Sequence, residues 1–299
     1  MRIALTTAIA AFGHDIDEPP LLAACERAGI RAEIVAWDDP TVSWGRFDAV
    51  LLRSTWDYTQ HHGDFLAWCE RVARATQLFN PLPTIRWNTD KHYLGNLATR
   101  GVPIVPSRFF EPGHAVRLDG FGECVVKPSI GAGSRDTARY GADELDKARA
   151  HAEALLAQGR SVLVQPYLSG VDSYGETALI FIAGRYSHAI RKGPLLTAGA
   201  RASDALFAVE DIQPRIASEA EHAVAQRVLA SLPEVPLYAR VDLLPSTEGP
   251  LLLELELVEP SLFFAASEDA ADRLLQALRE RIEAAARDPF SPVAGKSSR

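Results

Sequence analysis

Residues 251–257 read LLLELEL. Successive side chains of a strand face opposite ways. The pattern therefore predicts Leu251, Leu253, Leu255 and Leu257 on one face and Glu254 and Glu256 on the other. Upstream, RVDLL (240–244) is joined to this run by the short turn PSTEGP, which predicts a hairpin with Asp242 across from both glutamates. The first ninety residues carry a different rhythm. Strands are predicted at RIALTT (2–7), AEIVAW (32–37), FDAVLLRS (47–54) and QLFN (77–80), separated by helices at 19–29 and 64–75. The second helix sets Phe65, Trp68, Cys69 and Val72 at helical spacing. Alternating strands and helices imply a parallel sheet, whose ligands sit beyond the carboxyl ends of the strands. The loops at 10–20 and 54–64 occupy those ends.

Beyond residue 81, NTDKHYLGNLATRG (88–101) predicts one helix, capped by Asn88 or Thr89 and stopped by Gly101. Strands follow at 123–129, 137–140 and 161–168 around a helix at 143–159. A second β-rich part has strands at 176–184, 186–193, 237–245 and 250–260, with helices at 218–232 and 268–287. The apolar strand running into Pro166 and then Ser169-Gly170 suggests a hinge between the two parts. The resulting division is 1–90, 91–168, 169–288 and a tail at 289–299 that looks unstructured.

Composition narrows the function. Of 299 residues, 47% are hydrophobic and 23% charged, the profile of an ordinary globular protein. The net charge of −8, with no dominant Lys/Arg cluster, argues against a nucleic-acid surface. No run approaches the ~20 apolar residues of a membrane span. The N-terminal stretch reads as a strand and loop rather than a signal peptide. Cys25, Cys69 and Cys124 are scattered without metal-ligand spacing, which fits buried thiols in a cytoplasmic protein. A homo-oligomeric assembly is compatible with all of this.

Three stretches carry chemistry. VVKPSIGAGSRD sets Lys127 before a loop of small residues, Ser129, Gly131, Gly133 and Ser134. Such a loop lets backbone N–H groups approach a phosphate, although a plain glycine-rich hairpin has the same composition. It lacks the third glycine and following helix of a dinucleotide fingerprint. Next, VQPYLSGVDSYGE places Asp172 and Glu176 after the hinge, either as acceptors for ribose hydroxyls or as turn residues facing water. Last, Asp242, Glu254 and Glu256 on one hairpin face suit Mg²⁺, a hard ion taking oxygen ligands. Arg240 on the same face could absorb the charge of a transferring phosphoryl group. The alternative is a solvated acidic face with an Arg–Glu cross-strand pair.

These pieces, in this order, resemble the ATP-grasp superfamily of carboxylate–amine ligases. The resemblance implies an α/β and α+β ATP-grasp fold, with an N-terminal parallel-sheet (Rossmann-like) domain followed by two α+β lobes clasping ATP. Matched motif by motif, it implies that a helix lysine, Lys91, and a strand lysine, Lys127, hold ATP phosphates under the loop 129–134. Backbone groups of Gln165, Pro166, Tyr167 and Leu168 would take adenine, and Asp172 with Glu176 the ribose. Lys192, and with it Arg191, falls where the family places phosphate-binding cations. Arg240 would stabilise the transferring phosphoryl group, with Asp242, Glu254 and Glu256 on Mg²⁺. Glu256 stands where the family more often has Asn. RSTWDY, KPSIGAGSRD, HAIRKGP and ELELVEPSLFF further resemble a bacterial subgroup that includes O-ureido-serine cyclo-ligation in D-cycloserine biosynthesis. The substrate expected from it is a small amino-acid-like molecule. Asp15 or Asp17 is assigned to its ammonium group, and Arg53, Trp56 or Asp57 to its ureido end. Two rivals remain open, an intermolecular carboxylate–amine ligase and a nucleotide-binding regulator without turnover.

Overall fold

The computed structural model describes residues 1–194, 196 and 211–287, so the expected tail lies outside the described residues. Three sheets make up the fold. The first is parallel, in the order β2-β1-β3-β4, from β1 (Arg2–Thr7), β2 (Arg31–Ala36), β3 (Ala49–Ser54) and β4 (Gln77–Phe79). Helices α1 (Glu18–Arg27) and α2 (His62–Ala75) cover its two faces, as the alternating pattern requires. β3 is buried at all six positions, the mark of a central strand.

A second sheet, antiparallel and ordered β5-β8-β6-β7, contains β5 (Arg108–Phe110), β6 (Cys124–Pro128), β7 (Ala138–Tyr140) and β8 (Val162–Pro166). Helix α5 (Leu145–Ala157) closes a core of its own against it, built on Val126, Ala152, Leu155 and Val164. The third sheet, β11-β10-β9-β12-β13, comprises β9 (Glu176–Ile182), β10 (Arg185–Lys192), β11 (Ile212–Arg215), β12 (Tyr238–Leu244) and β13 (Leu251–Glu256). Helix α7 (Glu219–Ala230) starts with a capping box between Ser218 and Glu221, and α8 (Ala270–Arg287) ends the described chain. The short helix α6 (Gly170–Tyr174) and the strands β5 and β11 were not predicted from the sequence. At three to five residues each, they are too short to carry a periodic signal.

Two local corrections matter for the site. The helix expected over 88–101 shortens to α4 (Tyr93–Thr99), and an unexpected helix α3 (Leu82–Asn88) precedes it, the two separated by a turn in which Asp90 Oδ1 accepts from His92 N–H at 3.1 Å. Lys91 therefore sits on a turn rather than a helix. Asn88 is no cap. Its amide donates to Leu255 O at 2.8 Å and accepts from Leu257 N–H at 2.6 Å, extending the edge of β13.

The strict leucine alternation also breaks. Asp242 pairs with Glu254 but the next residue, Leu243, pairs with Leu252, so Leu253 is the extra residue of a β-bulge. Leu252, Leu255 and Leu257 enter the core with α4 and β9, while Leu251 and Leu253 turn to the side of Tyr167 and Leu168.

The first and third sheets share one core, in which Leu5 and Leu51 meet Ile180, Tyr238 and Leu274. Asn80 locks them together, donating to Tyr238 O at 3.0 Å and Leu257 O at 2.7 Å and accepting from Leu237 N–H at 2.7 Å. Asp17 does the same at the other end, with backbone N–H groups of Phe263 and Phe264 at 3.1 and 2.8 Å and the Arg53 guanidinium at 3.1 Å. Removing the Asn80 amide strands three buried backbone groups. Asn80→Ala should cost about 3 kcal/mol or more, read as a lower denaturant midpoint; an unchanged midpoint would show that the two sheets do not depend on it.

Candidate active site

A cavity of about 510 Å³ opens where the three sheets meet. Its walls come from the loops after β1 and β3, the turn at Lys91, the β6–β7 hairpin, the end of β8, and strands β9, β10, β12 and β13. The hairpin register is the predicted one: Arg240 lies opposite Glu256, and Asp242 opposite Glu254. All four side chains line the cavity.

These groups form a chain of ion pairs. Arg240 Nε bonds Asp242 Oδ1 at 2.9 Å, and its guanidinium also bonds Glu256 and, at 3.1 Å, the Ser261 carbonyl. Lys192 Nζ bonds Asp242 Oδ2 at 2.7 Å and pairs with Glu176. Lys91 Nζ bridges Glu254, at 2.9 Å, and the Gly131 carbonyl, at 2.7 Å. Burial alone would raise the Asp242 carboxyl, but the Arg240 and Lys192 charges outweigh it and hold it well below the usual carboxylate range. Glu254 is likewise held down, with Lys91 and Lys127 overcoming its desolvation. Glu256 behaves the other way: desolvation pushes it up to about 7 despite Arg240, with Glu254 and Asp242 adding repulsion.

Lys127, on β6, is 8% exposed and forms no ion pair among the described residues. Desolvation pushes its ammonium down to about 8; Glu254 counters that, and the Lys91 charge adds to it. The following loop lines the cavity with Gly131, Ala132, Gly133, Ser134 and Arg135. Gly133 and Ser134 adopt positive φ (61° and 58°), the tight reversal that brings backbone to the cavity. Ser129 does not line it; its carbonyl accepts from Lys91 N–H at 2.9 Å.

The residues expected to hold the metal can be located on the cavity wall. Asp242, Glu254 and Glu256 share one wall and are the oxygen donors a hard cation takes. A cation bound there would offset the desolvation that pushes the Glu256 carboxyl up. However, each carboxylate is turned toward a basic side chain, and no three acids among the described residues are grouped so as to hold a metal ion. The Arg–Glu cross-strand pair of the alternative reading is present, but on a cavity wall rather than in open solvent.

Gln165, Pro166, Tyr167 and Leu168 line the end of the cavity near Val105, Leu244 and Leu253. Gln165 is held there by its amide donating to Ser107 Oγ at 2.9 Å. Glu176 also faces the cavity, but Asp172 does not: it is taken by Tyr167 OH at 2.5 Å and Arg139 at 3.5 Å. Arg191 points to the other side of β10 from Lys192, toward Tyr174 O and Asp211, and leaves the set of candidate cations.

The residues expected at the amino acid are mostly elsewhere. Asp15, Asp17 and Arg53 are buried together, Arg53 pairing with both aspartates, and none lines the cavity. Asp57 faces away and accepts from Trp37 Nε1 at 2.8 Å. Trp56 does line the cavity. The two loops thus reach the site as predicted, but through His14, Ile16, Trp56 and Tyr58. Glu259, also unforeseen, lines the same end; desolvation and the Glu256 charge push its carboxyl up to about 8. Its only signal in the sequence is an acid stranded in the apolar run LVEPSLFF.

Residues 3–80 match the family model described as D-cycloserine synthetase DcsG, N-terminal domain. The cycloserine biosynthesis protein DcsG of Streptomyces lavendulae is 42% identical over 301 residues, covering 94% of this chain and 99% of its own. The crystal structure of D-cycloserine synthetase DcsG superposes with a TM-score of 0.87 at 41% identity, over 94% of this chain and all of that one. A D-alanine–D-alanine ligase from Bacillus anthracis complexed with ATP shares the fold alone, with a TM-score of 0.62 at 15% identity over 95% of this chain and 98% of the other. With that identity sustained along nearly its whole length, the chain belongs to the DcsG, or D-cycloserine synthetase, family of ATP-grasp ligases.

Proposed function

We propose that this chain cyclises O-ureido-D-serine to D-cycloserine, using ATP to activate the substrate carboxylate as an acyl-phosphate. The observation that carries the reading is Lys127, a buried cation without an ion pair among the described residues, on the same cavity as Arg240 and three carboxylates. A buried lysine facing the cavity is suited to a polyanion such as the phosphates of ATP, whose charge would hold it protonated. The ATP-bound relative and the DcsG relatives support the same assignment of ligand and substrate.

In this reading adenine lies against Gln165 to Leu168 and the apolar wall of Leu244 and Leu253, with Glu176 near the ribose. Lys91, Lys127 and the backbone of 131–134 take the phosphates. Bound by Asp242, Glu254 and Glu256, Mg²⁺ would neutralise phosphate charge and ease the departure of ADP. The substrate carboxylate attacks the γ-phosphorus, and Arg240 and Lys192 absorb the charge that develops. The ureido nitrogen bonded to oxygen then attacks the acyl carbon and expels phosphate. Ring closure within one molecule carries an effective molarity of ~10⁵ M or more in well-oriented cases, so folding the substrate is most of the task. Trp56, Val258 and Phe263 give that end apolar walls that keep water from the acyl-phosphate. One water then hydrolyses the N-carbamoyl group of the ring to CO2 and ammonia, which leaves the product.

The direct test is incubation with ATP, Mg²⁺ and O-ureido-D-serine, without added amine. ADP, phosphate and cycloserine should form together, and a strict requirement for a second amine would instead establish an intermolecular ligase. Lys127 gives a second check. At pH 8 about half of it is neutral, against roughly 0.4% of an ordinary lysine with pKa ~10.4. Small acylating reagents should therefore modify Lys127 ahead of surface lysines, and ATP should protect it; equal labelling with and without ATP would remove it from the phosphate site. Glu256→Gln should raise the Mg²⁺ needed for half-maximal rate by at least ~10-fold, the loss typical even of an outer-shell partner. An unchanged Mg²⁺ dependence would exclude Glu256 as a ligand.

A further inference from the structure

Among the described residues, five carboxyl groups line the cavity: Glu176, Asp242, Glu254, Glu256 and Glu259. The first four each have a basic partner, respectively Lys192, Arg240 with Lys192, Lys91, and Arg240. Glu259 forms no ion pair among the described residues, although it is only 8% exposed. A buried carboxylate needs a counter-charge, and none of the described basic side chains pairs with this one, so its open side is the cavity.

The residue is held in place rather than loosely exposed. The Tyr58 hydroxyl interacts with its carboxylate, and Trp56 Nε1 donates to its backbone carbonyl at 3.1 Å. Both aromatics come from the loop after β3 and both line the cavity. Two residues on, the Ser261 carbonyl accepts from Arg240 at 3.1 Å. The segment bearing Glu259 is therefore tied to the guanidinium assigned to phosphoryl transfer. In an α-amino acid the ammonium and the carboxylate share one carbon, so the group that receives the ammonium has to stand beside the groups that activate the carboxylate. Asp15 and Asp17 cannot do so, because Arg53 and the backbone at 262–264 consume them away from the cavity.

We infer that Glu259, oriented by Tyr58, is the receptor for the α-ammonium group of the substrate. The inference rests on the reading of the substrate as an amino acid and adds the contact that selects it. It makes Glu259 a binding residue that sets specificity, separate from the phosphate and metal groups.

The test compares O-ureido-D-serine with its analogue bearing hydrogen in place of the α-ammonium group. The wild type should favour the amino compound in kcat/KM by roughly 10- to 100-fold, the worth of a charged hydrogen bond. Glu259→Gln should bring that preference close to unity by raising KM for the amino compound, with the KM for ATP unchanged. Glu259→Asp, which keeps the charge, should restore part of it. Wild-type discrimination surviving in Glu259→Gln would overturn the inference, as would a shift in Mg²⁺ requirement in place of the KM change. If the wild type turns over neither compound, the substrate reading fails by itself. The same comparison is then made by thermal shift with ADP and Mg²⁺, across amino acids and their deaminated counterparts. Equal stabilisation by both series would overturn the role of Glu259. If Glu259→Gln does not fold, the wild-type comparison and Glu259→Asp still decide.

Discussion

Charge balance inside a cavity of limited solvation is the constraint on which this site depends. Two carboxylates on adjacent same-face positions of a strand repel, and a protein wall weakens that repulsion far less than water does. The chain answers with a relay of pairs running from Lys91 through Glu254, and from Glu256 through Arg240 and Asp242 to Lys192 and Glu176. Among the described residues, Lys127 and Glu259 lie on the cavity without an ion pair. A lysine and a carboxyl so placed fit a polyanionic nucleotide together with a cationic amine.

The relay holds its shape because the elements that carry it are anchored from outside. Asn80 and Asn88 hydrogen-bond the edges of β12 and β13, and Asp17 holds the chain just beyond Glu259. The bulge at Leu253 then adjusts the hairpin, turning one leucine to the cavity without displacing the Asp242–Glu254 pair. The first and third sheets thus act as one base. The second sheet carries Lys127 and the small-residue loop on a core of its own.

Much of this was legible in the sequence. The parallel sheet followed from strands and helices alternating over the first eighty residues, and the opposed Arg240, Asp242, Glu254 and Glu256 from two-residue periodicity across a short turn. What stayed hidden depends on partners far away in the chain. The bulge is a property of two strands together, so LLLELEL alone reads as a regular strand. Asn88 looks like a cap because caps are local, whereas its true partners are 167 and 169 residues away. Asp15, Asp17 and Arg53 look like binding residues because they sit in a loop beyond a strand or at a strand's end, and only the structure shows them satisfying one another. Arg191 and Lys192 are neighbours in sequence, yet a strand sends them to opposite faces, and only Lys192 reaches the cavity.

In the proposed mechanism the charged wall guides the γ-phosphoryl group of ATP to the substrate carboxylate before the ring closes. Substrate labelled with ¹⁸O in its carboxyl group measures this directly. Acyl-phosphate formation carries one carboxyl oxygen away with the phosphoryl group, so the inorganic phosphate released should contain one ¹⁸O per turnover. Phosphate free of label, formed alongside the cyclic product, would exclude an acyl-phosphate intermediate.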